Sequence, residues 1–244
     1  AFANTLTLSF KRIQFTNDLL PSDIVGGMIF DRRTGEFLFR PGPIFANIVL
    51  ADEINRGAPR TQSALLEAMQ EFQVTVEGKT YPLPRPFMVI ATQNPIELEG
   101  TYPLPEAELD RFLIRVLVNY PSRDEEIEIL RLKNRHGEEL DVNPVASSEK
   151  VLEAIQAVKN VYIHDDILGY IVDIVRESRS MPDVVMGGST RAETALLYGS
   201  KAYAAIRGRD YVIPDDVKYV APLILNHRIL LRRRTTSLGR GEQE

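Results

Sequence analysis

The run Ile48-Val49-Leu50-Ala51, which stops abruptly at the adjacent carboxylates Asp52 and Glu53, constrains the fold more than any other part of the chain. A short apolar run without polar alternation reads as a strand buried on both faces, as in a parallel sheet covered by helices. Packing alone does not explain an acidic pair at its end. Asp52 and Glu53 fall where the strand leaves the core, at the carboxyl edge where open α/β sheets bind ligands. Taken by themselves, the two acids read about as well as the start of a loop or the cap of the next helix. The segments downstream decide between these readings.

Up to residue 120 the chain alternates buried, β-rich segments with an amphipathic helix. Residues 8–15, 48–51, 87–92 and 112–118 are expected strands. Pro59–Glu71 is an expected helix, with Pro59 in its first turn and Ala64, Leu65, Ala68 and Met69 along one stripe. Two hairpins interrupt this pattern: residues 28–30 and 36–39 flank the turn Asp31-Arg32-Arg33-Thr34-Gly35, and residues 73–76 and 79–81 flank Glu77-Gly78. After Tyr120-Pro121 the character changes, and residues 123–132, 148–159, 165–178, 191–207 and 214–230 all have helical periodicity. Strands first and helices later predict an α/β domain over 1–121 followed by a small all-helical domain over 122–231. Residues 232–244 are polar and aperiodic, and Arg232-Arg233-Arg234 reads as a solvated tail.

With 244 residues, 44% of them hydrophobic, the chain can bury one large core, or a large and a small one. A net charge of −5 argues against a dedicated nucleic-acid binder. The absence of cysteine excludes disulfides, thiol catalysis and thiolate metal sites, and fits a reducing, cytoplasmic location. His136, His164 and His227 have no ligand-like spacing, so no zinc site is expected. Arg115 and Pro222 interrupt the longest apolar stretches, so no membrane span is expected either.

Four elements occur in an order that packing would not require. At the acidic edge, Asp52 is placed to hold a Mg²⁺ ion through water and Glu53 to polarise an attacking water, in the manner of a Walker B element. Ile90-Ala91-Thr92-Gln93-Asn94-Pro95 is a second buried strand with a polar end. There Asn94 would point into the same crevice, where an amide orients water and contacts a γ-phosphate without adding charge. A turn-initiating Asn before proline is the alternative. Arg111, in Leu109-Asp110-Arg111-Phe112, sits at an expected helix-to-strand junction from which it can reach a neighbour's crevice. An arginine supplied in trans to a transferring phosphoryl group is worth ~10³–10⁵ in rate; an Asp110–Arg111 surface pair of little energetic value is the alternative. In Gly187-Gly188-Ser189-Thr190-Arg191, Ser189 or Thr190 can cap the helix that carries Arg191. The helix dipole disfavours an arginine in the first turn, which points to a role for it.

Asp-Glu-Ile-Asn-Arg at 52–56, Thr-Gln-Ser-Ala-Leu-Leu-Glu-Ala-Met-Gln-Glu at 61–71 and Thr-Gln-Asn-Pro at 92–95 occur together with Tyr-Pro-Leu-Pro-Glu-Ala at 102–107 and Leu-Asp-Arg-Phe at 109–112. In that combination the chain resembles the MoxR family of AAA+ ATPases from about Ala1 to Leu231, through Arg-Ile-Gln-Phe-Thr at 12–16 and Arg-Pro-Gly-Pro-Ile-Phe-Ala-Asn at 40–47. The resemblance implies an AAA+ parallel sheet domain flanked by helices, followed by a helical lid. It also implies Walker B at Asp52 and Glu53, sensor 1 at Asn94, an arginine finger at Arg111 and sensor 2 at Arg191, acting in cis or in trans. ATP and Mg²⁺ are the implied cofactors, with Asp52 and Arg191 on the nucleotide side and Asp52 on the metal. A ring, most simply a hexamer, is implied, with a von Willebrand A-domain protein as partner and a protein client. The hairpins at 28–39 and 73–81 would be the helix-2 insert and the hairpin before sensor 1, which face a ring's pore or a client in such ATPases.

One family motif has no counterpart here: Gly-x-x-x-x-Gly-Lys-[Ser/Thr], the loop whose amides and lysine bind phosphates, does not occur in the sequence. Ala1-Phe2-Ala3-Asn4-Thr5-Leu6 resembles the tail of the helix that follows this Walker A loop, so the sequence is expected to start just downstream of it. In AAA+ sheets the strand before that loop lies between the strands represented by 87–92 and 112–118. Without it two edges face each other unpaired, each buried orphan group costing about 1–3 kcal/mol. The ATPase expectation is therefore conditional on a P-loop upstream of residue 1. A non-hydrolysing AAA+-like scaffold and a chelatase-type motor subunit are the alternatives. A dead scaffold would have no chemical need for Asp52, Glu53, Asn94, Arg111 and Arg191 together.

Overall fold

The computed structural model describes residues 1–94, 100–136 and 142–232. Its described residues fall into two compact units: those of 1–111 and 117–157 form the first, those of 112–116 and from 158 onwards the second.

In the first unit, α1 (Phe2–Thr5), β1 (Phe10–Gln14) and α2 (Pro21–Val25) lead into a hairpin of β2 (Gly26–Asp31) and β3 (Glu36–Pro41). Then come β4 (Ile48–Asp52), α3 (Pro59–Glu71), a second hairpin of β5 (Gln73–Val76) and β6 (Lys79–Pro82), then β7 (Met88–Ala91) and α4 (Glu106–Leu109). The sheet is parallel with order β1-β4-β7. β4 is central, and Ile48, Val49 and Ala51 are buried, as a strand covered on both faces requires. α3 lays Thr61, Gln62, Leu65, Leu66 and Ala68 into the core, where Phe15, Ile24, Ile44 and Ile54 are also buried.

Both expected hairpins form. The β5–β6 turn has Glu77 at φ 49° and Gly78 at φ 74°, the pair of positive values that a two-residue hairpin turn needs. The β2–β3 hairpin is rooted at Gly26, whose φ is +89° and whose added Cβ would lie 2.2 Å from the Arg40 carbonyl oxygen. Only glycine suits that position.

Residues 112–118 do not form the strand expected of them. A strand needs a ladder partner, and among the described residues none lies beside this run. Its backbone groups are taken up within the second unit instead: the Arg115 N–H donates to the Leu223 carbonyl at 3.1 Å and Asn226 Nδ2 donates to the Arg115 carbonyl at 3.0 Å. The Arg228 guanidinium donates to the carbonyls of Phe112 at 2.6 Å and Leu113 at 3.0 Å.

The first unit also takes α5 (Arg123–His136) and most of α6 (Ser148–Asn160), so the boundary is not the single break at 121 and 122 expected from the sequence. The cause lies in the connection between these helices. The Thr5 carbonyl accepts from the N–H groups of Val145 at 2.8 Å and Ala146 at 3.3 Å, and the Thr7 hydroxyl donates to the Ala146 carbonyl at 3.0 Å.

The second unit contains α7 (Asp165–Ser180), β8 (Val184–Met186), α8 (Thr190–Ile206), α9 (Pro214–Leu225) and β9 (Leu230–Leu231). Its core gathers Ile171, Val175, Ala192, Leu196, Ala204, Val217 and Ile224. Small residues on α8 let α9 approach: an added Cβ at Gly199 would lie 2.9 Å from Ile224 Cδ1. The unit is helical as expected, with one departure, since the last predicted helix stops at Leu225 and Leu230–Leu231 pairs antiparallel with β8. Beyond Arg232 the expected tail lies outside the described residues. Among the described residues no helix is long and apolar enough to cross a membrane.

Candidate functional site

The three parallel strands end level with one another, Gln14 opposite Asp52 and Ala51 opposite Ala91, and polar residues gather at that edge. Thr92, the first residue past β7, donates its hydroxyl to Asp52 Oδ1 at 2.5 Å and accepts the Glu53 N–H at 2.8 Å. Arg12, on β1, donates to Asp52 Oδ2 through Nε at 3.0 Å and Nη2 at 2.5 Å. Glu53 Oε2 accepts from Gln14 Nε2 at 2.9 Å and from Arg56 Nη1 at 3.1 Å. Glu53 itself has φ 53° and ψ 49°. That left-handed conformation costs a residue bearing a Cβ roughly 1–2 kcal/mol, so the surrounding bonds must hold it there.

The Thr92 hydroxyl, and after it the Arg12 guanidinium, hold the Asp52 carboxyl below the usual carboxylate range against the opposing effect of burial. Asp52 is thus an anion at neutral pH. An ionised carboxylate is the hard oxygen ligand that suits Mg²⁺. Among the described residues no group of three or more His, Asp or Glu side chains could hold a metal by itself. Mg²⁺ sites use one or two carboxylates plus water and substrate phosphates, and Asp52 can supply such a carboxylate. The residues present therefore fit a Mg²⁺-nucleotide.

Asn94 lies just past Thr92, and its carbonyl accepts from Asn55 Nδ2 at 3.3 Å. This ties it to the turn that follows Glu53. Asn55 Oδ1 is buried with no partner among the described residues. The same turn anchors residue 102, since the Tyr102 N–H donates to the Asn55 carbonyl at 2.6 Å. Buried Gln62 bridges the carbonyls of Ile54 at 3.0 Å and Tyr102 at 2.9 Å. Asp52 and Glu53 thus share the strand edge with residues 92–94, and Asn94 meets the turn after Glu53 through its backbone carbonyl.

Arg111 follows α4 in a turn, and its Nε is buried without a partner among the described residues. Arg191 belongs to the second unit. Ser189 caps α8 there, accepting the Arg191 N–H at 3.1 Å and leaving the Arg191 side chain exposed. Thr92, Arg12 and Gln14 were not singled out from the sequence. A polar residue closing an apolar run, as at Thr92, is the signal that could have found the first of them.

A parallel sheet with paired carboxylates at the carboxyl end of its central strand, an amide beyond the neighbouring strand and a following helical unit define an AAA-type ATPase. Residues 1–114 match the model of the ATPase family associated with various cellular activities, and residues 176–243 match the AAA lid domain. The chain is 52% identical over 231 residues to the uncharacterized protein YeaC of Bacillus subtilis, covering 95% of this chain and 72% of that protein. It is 43% identical over 244 residues to the chaperone MoxR1 of Mycobacterium tuberculosis, covering 94% of this chain and 63% of that relative's length. A crystal structure of a candidate ATPase from Cytophaga hutchinsonii superposes with a TM-score of 0.87 at 45% identity, over 94% of this chain and 72% of that one. The chain belongs to the MoxR family of AAA+ ATPases.

Proposed function

We propose that this chain belongs to a ring-forming ATPase that couples ATP hydrolysis to chaperone-like remodelling or maturation of client protein complexes. The observation that carries this reading is the Asp52–Glu53 pair at the carboxyl edge of β4, with Thr92 bonded to both. Similarity to a protein named as a chaperone supports the client-directed part. ATP hydrolysis at this site requires a phosphate-binding loop to hold the β- and γ-phosphates.

Mg²⁺ and ATP, when bound, supply the phosphoryl group and neutralise charge on its oxygens. Asp52 holds the metal side of the nucleotide as an anion. Glu53, its carboxylate oriented by Gln14 and Arg56, draws the proton from the attacking water. Asn94 orients that water. Arg111 acts on the neighbouring subunit's site, where positive charge stabilises the transferring phosphoryl group. Arg191, on the second unit, is the sensor 2 arginine that the family resemblance implies, acting in cis or in trans.

The ring is a hexamer in the cytoplasm that works with a von Willebrand A-domain protein. Its client contacts are the hairpins. Ile29, Phe30, Phe37 and Leu38 are exposed on β2 and β3, an apolar surface of the kind that marks protein contacts.

Mixing variants tests the shared site. Glu53→Gln and Arg111→Ala subunits should each be inactive alone, while their mixture regains part of the activity. Some interfaces in the mixture pair an intact Glu53 with an intact Arg111. A mixture as inactive as its components, or a hydrolysing Arg111→Ala ring, would contradict a shared site.

A further inference from the structure

We propose that the Thr92 hydroxyl sets the positions of both Asp52 and Glu53, making Thr92 a positioning residue that acts on hydrolysis through those two side chains. The inference rests on the assignment of that pair as the hydrolytic site.

Thr92 directs all of its polar groups at four consecutive residues of the neighbouring strand end. Its N–H donates to the Ala51 carbonyl at 3.0 Å, and its carbonyl accepts the Ile54 N–H at 3.0 Å. Between these, its hydroxyl donates to Asp52 Oδ1 at 2.5 Å and accepts the Glu53 N–H at 2.8 Å. The outer two contacts are made by backbone and would survive a change of side chain. The inner two, which reach the acidic pair, depend on the hydroxyl alone.

A hydroxyl has one proton and two lone pairs, so donating to Asp52 commits the proton and leaves the lone pairs for the Glu53 N–H. The two contacts are therefore coupled, and losing the hydroxyl loses both. Glu53 has more to lose than an ordinary strand residue, because its backbone is at φ 53° and ψ 49°. Left-handed geometry at a residue with a Cβ persists only where neighbours over-determine it. Without the Thr92 bond the Glu53 backbone is freer to relax, and its carboxylate would move away from the arrangement that Gln14 and Arg56 support. The link extends to Asn94, whose carbonyl is tied to Asn55 on the same turn at 3.3 Å. Residues 92–94 thus meet the acidic pair through the Thr92 hydroxyl and the turn that follows it through the Asn94 backbone carbonyl.

Three variants separate this role from ordinary packing. Thr92→Val keeps the shape and removes the hydroxyl, Thr92→Ser keeps the hydroxyl and removes the methyl, and Thr92→Ala removes both. In the full-length protein, Thr92→Val should lower kcat by tenfold to a hundredfold, on the order seen when partners that orient active-site ligands are removed. KM for ATP should change by less than kcat falls, because Glu53 acts on the chemical step while Asp52 also holds the metal side of the nucleotide. Thr92→Ser should recover most of the lost rate.

The nucleotide-free protein gives a second readout. Amide hydrogen exchange at Glu53 should accelerate in Thr92→Val and not in Thr92→Ser, while Ile54, held by the Thr92 backbone carbonyl, keeps its protection. If Thr92→Val does not fold, Thr92→Ala is read in its place with the same expectations.

Wild-type kcat in Thr92→Val alongside an inactive Glu53→Gln would overturn the proposal and leave the site assignment standing. Thr92→Ser as slow as Thr92→Val, or unchanged Glu53 exchange, would overturn it too. Undiminished hydrolysis in Glu53→Gln would instead remove the site assignment on which the proposal rests.

Discussion

Asp216 is 1% exposed, and burial by itself would push its carboxyl up. The Arg209 guanidinium, at 2.8 and 2.5 Å, and the Ile213 N–H at 2.9 Å outweigh that and hold it below the usual carboxylate range. Because the folded value is depressed, the unfolded chain binds the proton more readily. The stabilisation is complete above about pH 4, the ordinary aspartate value, and is lost as pH falls through the folded value. Asp216→Ala should destabilise the second unit near neutral pH, since it removes the bonds from Arg209 and from the Ile213 N–H. Thermal unfolding across pH checks this. The gap between wild type and variant should narrow below about pH 4, and a gap that stays constant would contradict the role of this pair. Residues of the candidate site differed in how well the sequence showed them. Asp52 and Glu53 were visible because two acids ending an apolar run have no packing reason to be there. Arg12 and Gln14 were not, because they matter only through the register that sets Gln14 opposite Asp52, and pairing between strands leaves no local mark. Sequence alone does not say which strands are neighbours.

Among the elements, the bounds of α3 were legible because Pro59 starts it and its apolar residues have helical period, while its buried face takes Thr61, Gln62 and Leu66, which the expected stripe left out. Both hairpins were legible through their turn residues. The run at 112–118 shows where such reading stops. Its composition suits a strand, but whether it becomes one depends on a ladder partner, and here Asn226 and Arg228, just past α9, take its carbonyls instead. The two strands of the second unit are only three and two residues long, too short to leave a period. At the start of α8 the sequence left Ser189 and Thr190 as alternative caps, and the bond from the Arg191 N–H to Ser189 Oγ decides for Ser189. Ser189→Ala should destabilise the second unit by about 1 kcal/mol, and Ser189→Asp should restore most of it. Unfolding midpoints measure the difference. Equal midpoints for wild type and Ser189→Ala would show that the cap contributes nothing to the stability of the second unit.

For the whole molecule, membership of the MoxR family was readable because its motifs recur together along the chain, which no single short motif could show. The division into units was less readable, since the segment around residue 145 returns to the first unit through Thr5 and Thr7, a contact between residues far apart in sequence. The chain spans 72% of one relative and 63% of another, so activity, assembly and clients belong to the proposal. The central claim is that the acidic pair at the end of β4 hydrolyses ATP, and Glu53→Gln tests it most directly. Steady-state hydrolysis and retained nucleotide should be measured together on the full-length ring. Glu53→Gln should bind ATP, keep it unhydrolysed and lose turnover by at least about a hundredfold, in line with removal of a general base. Hydrolysis at the wild-type rate in Glu53→Gln would contradict that claim.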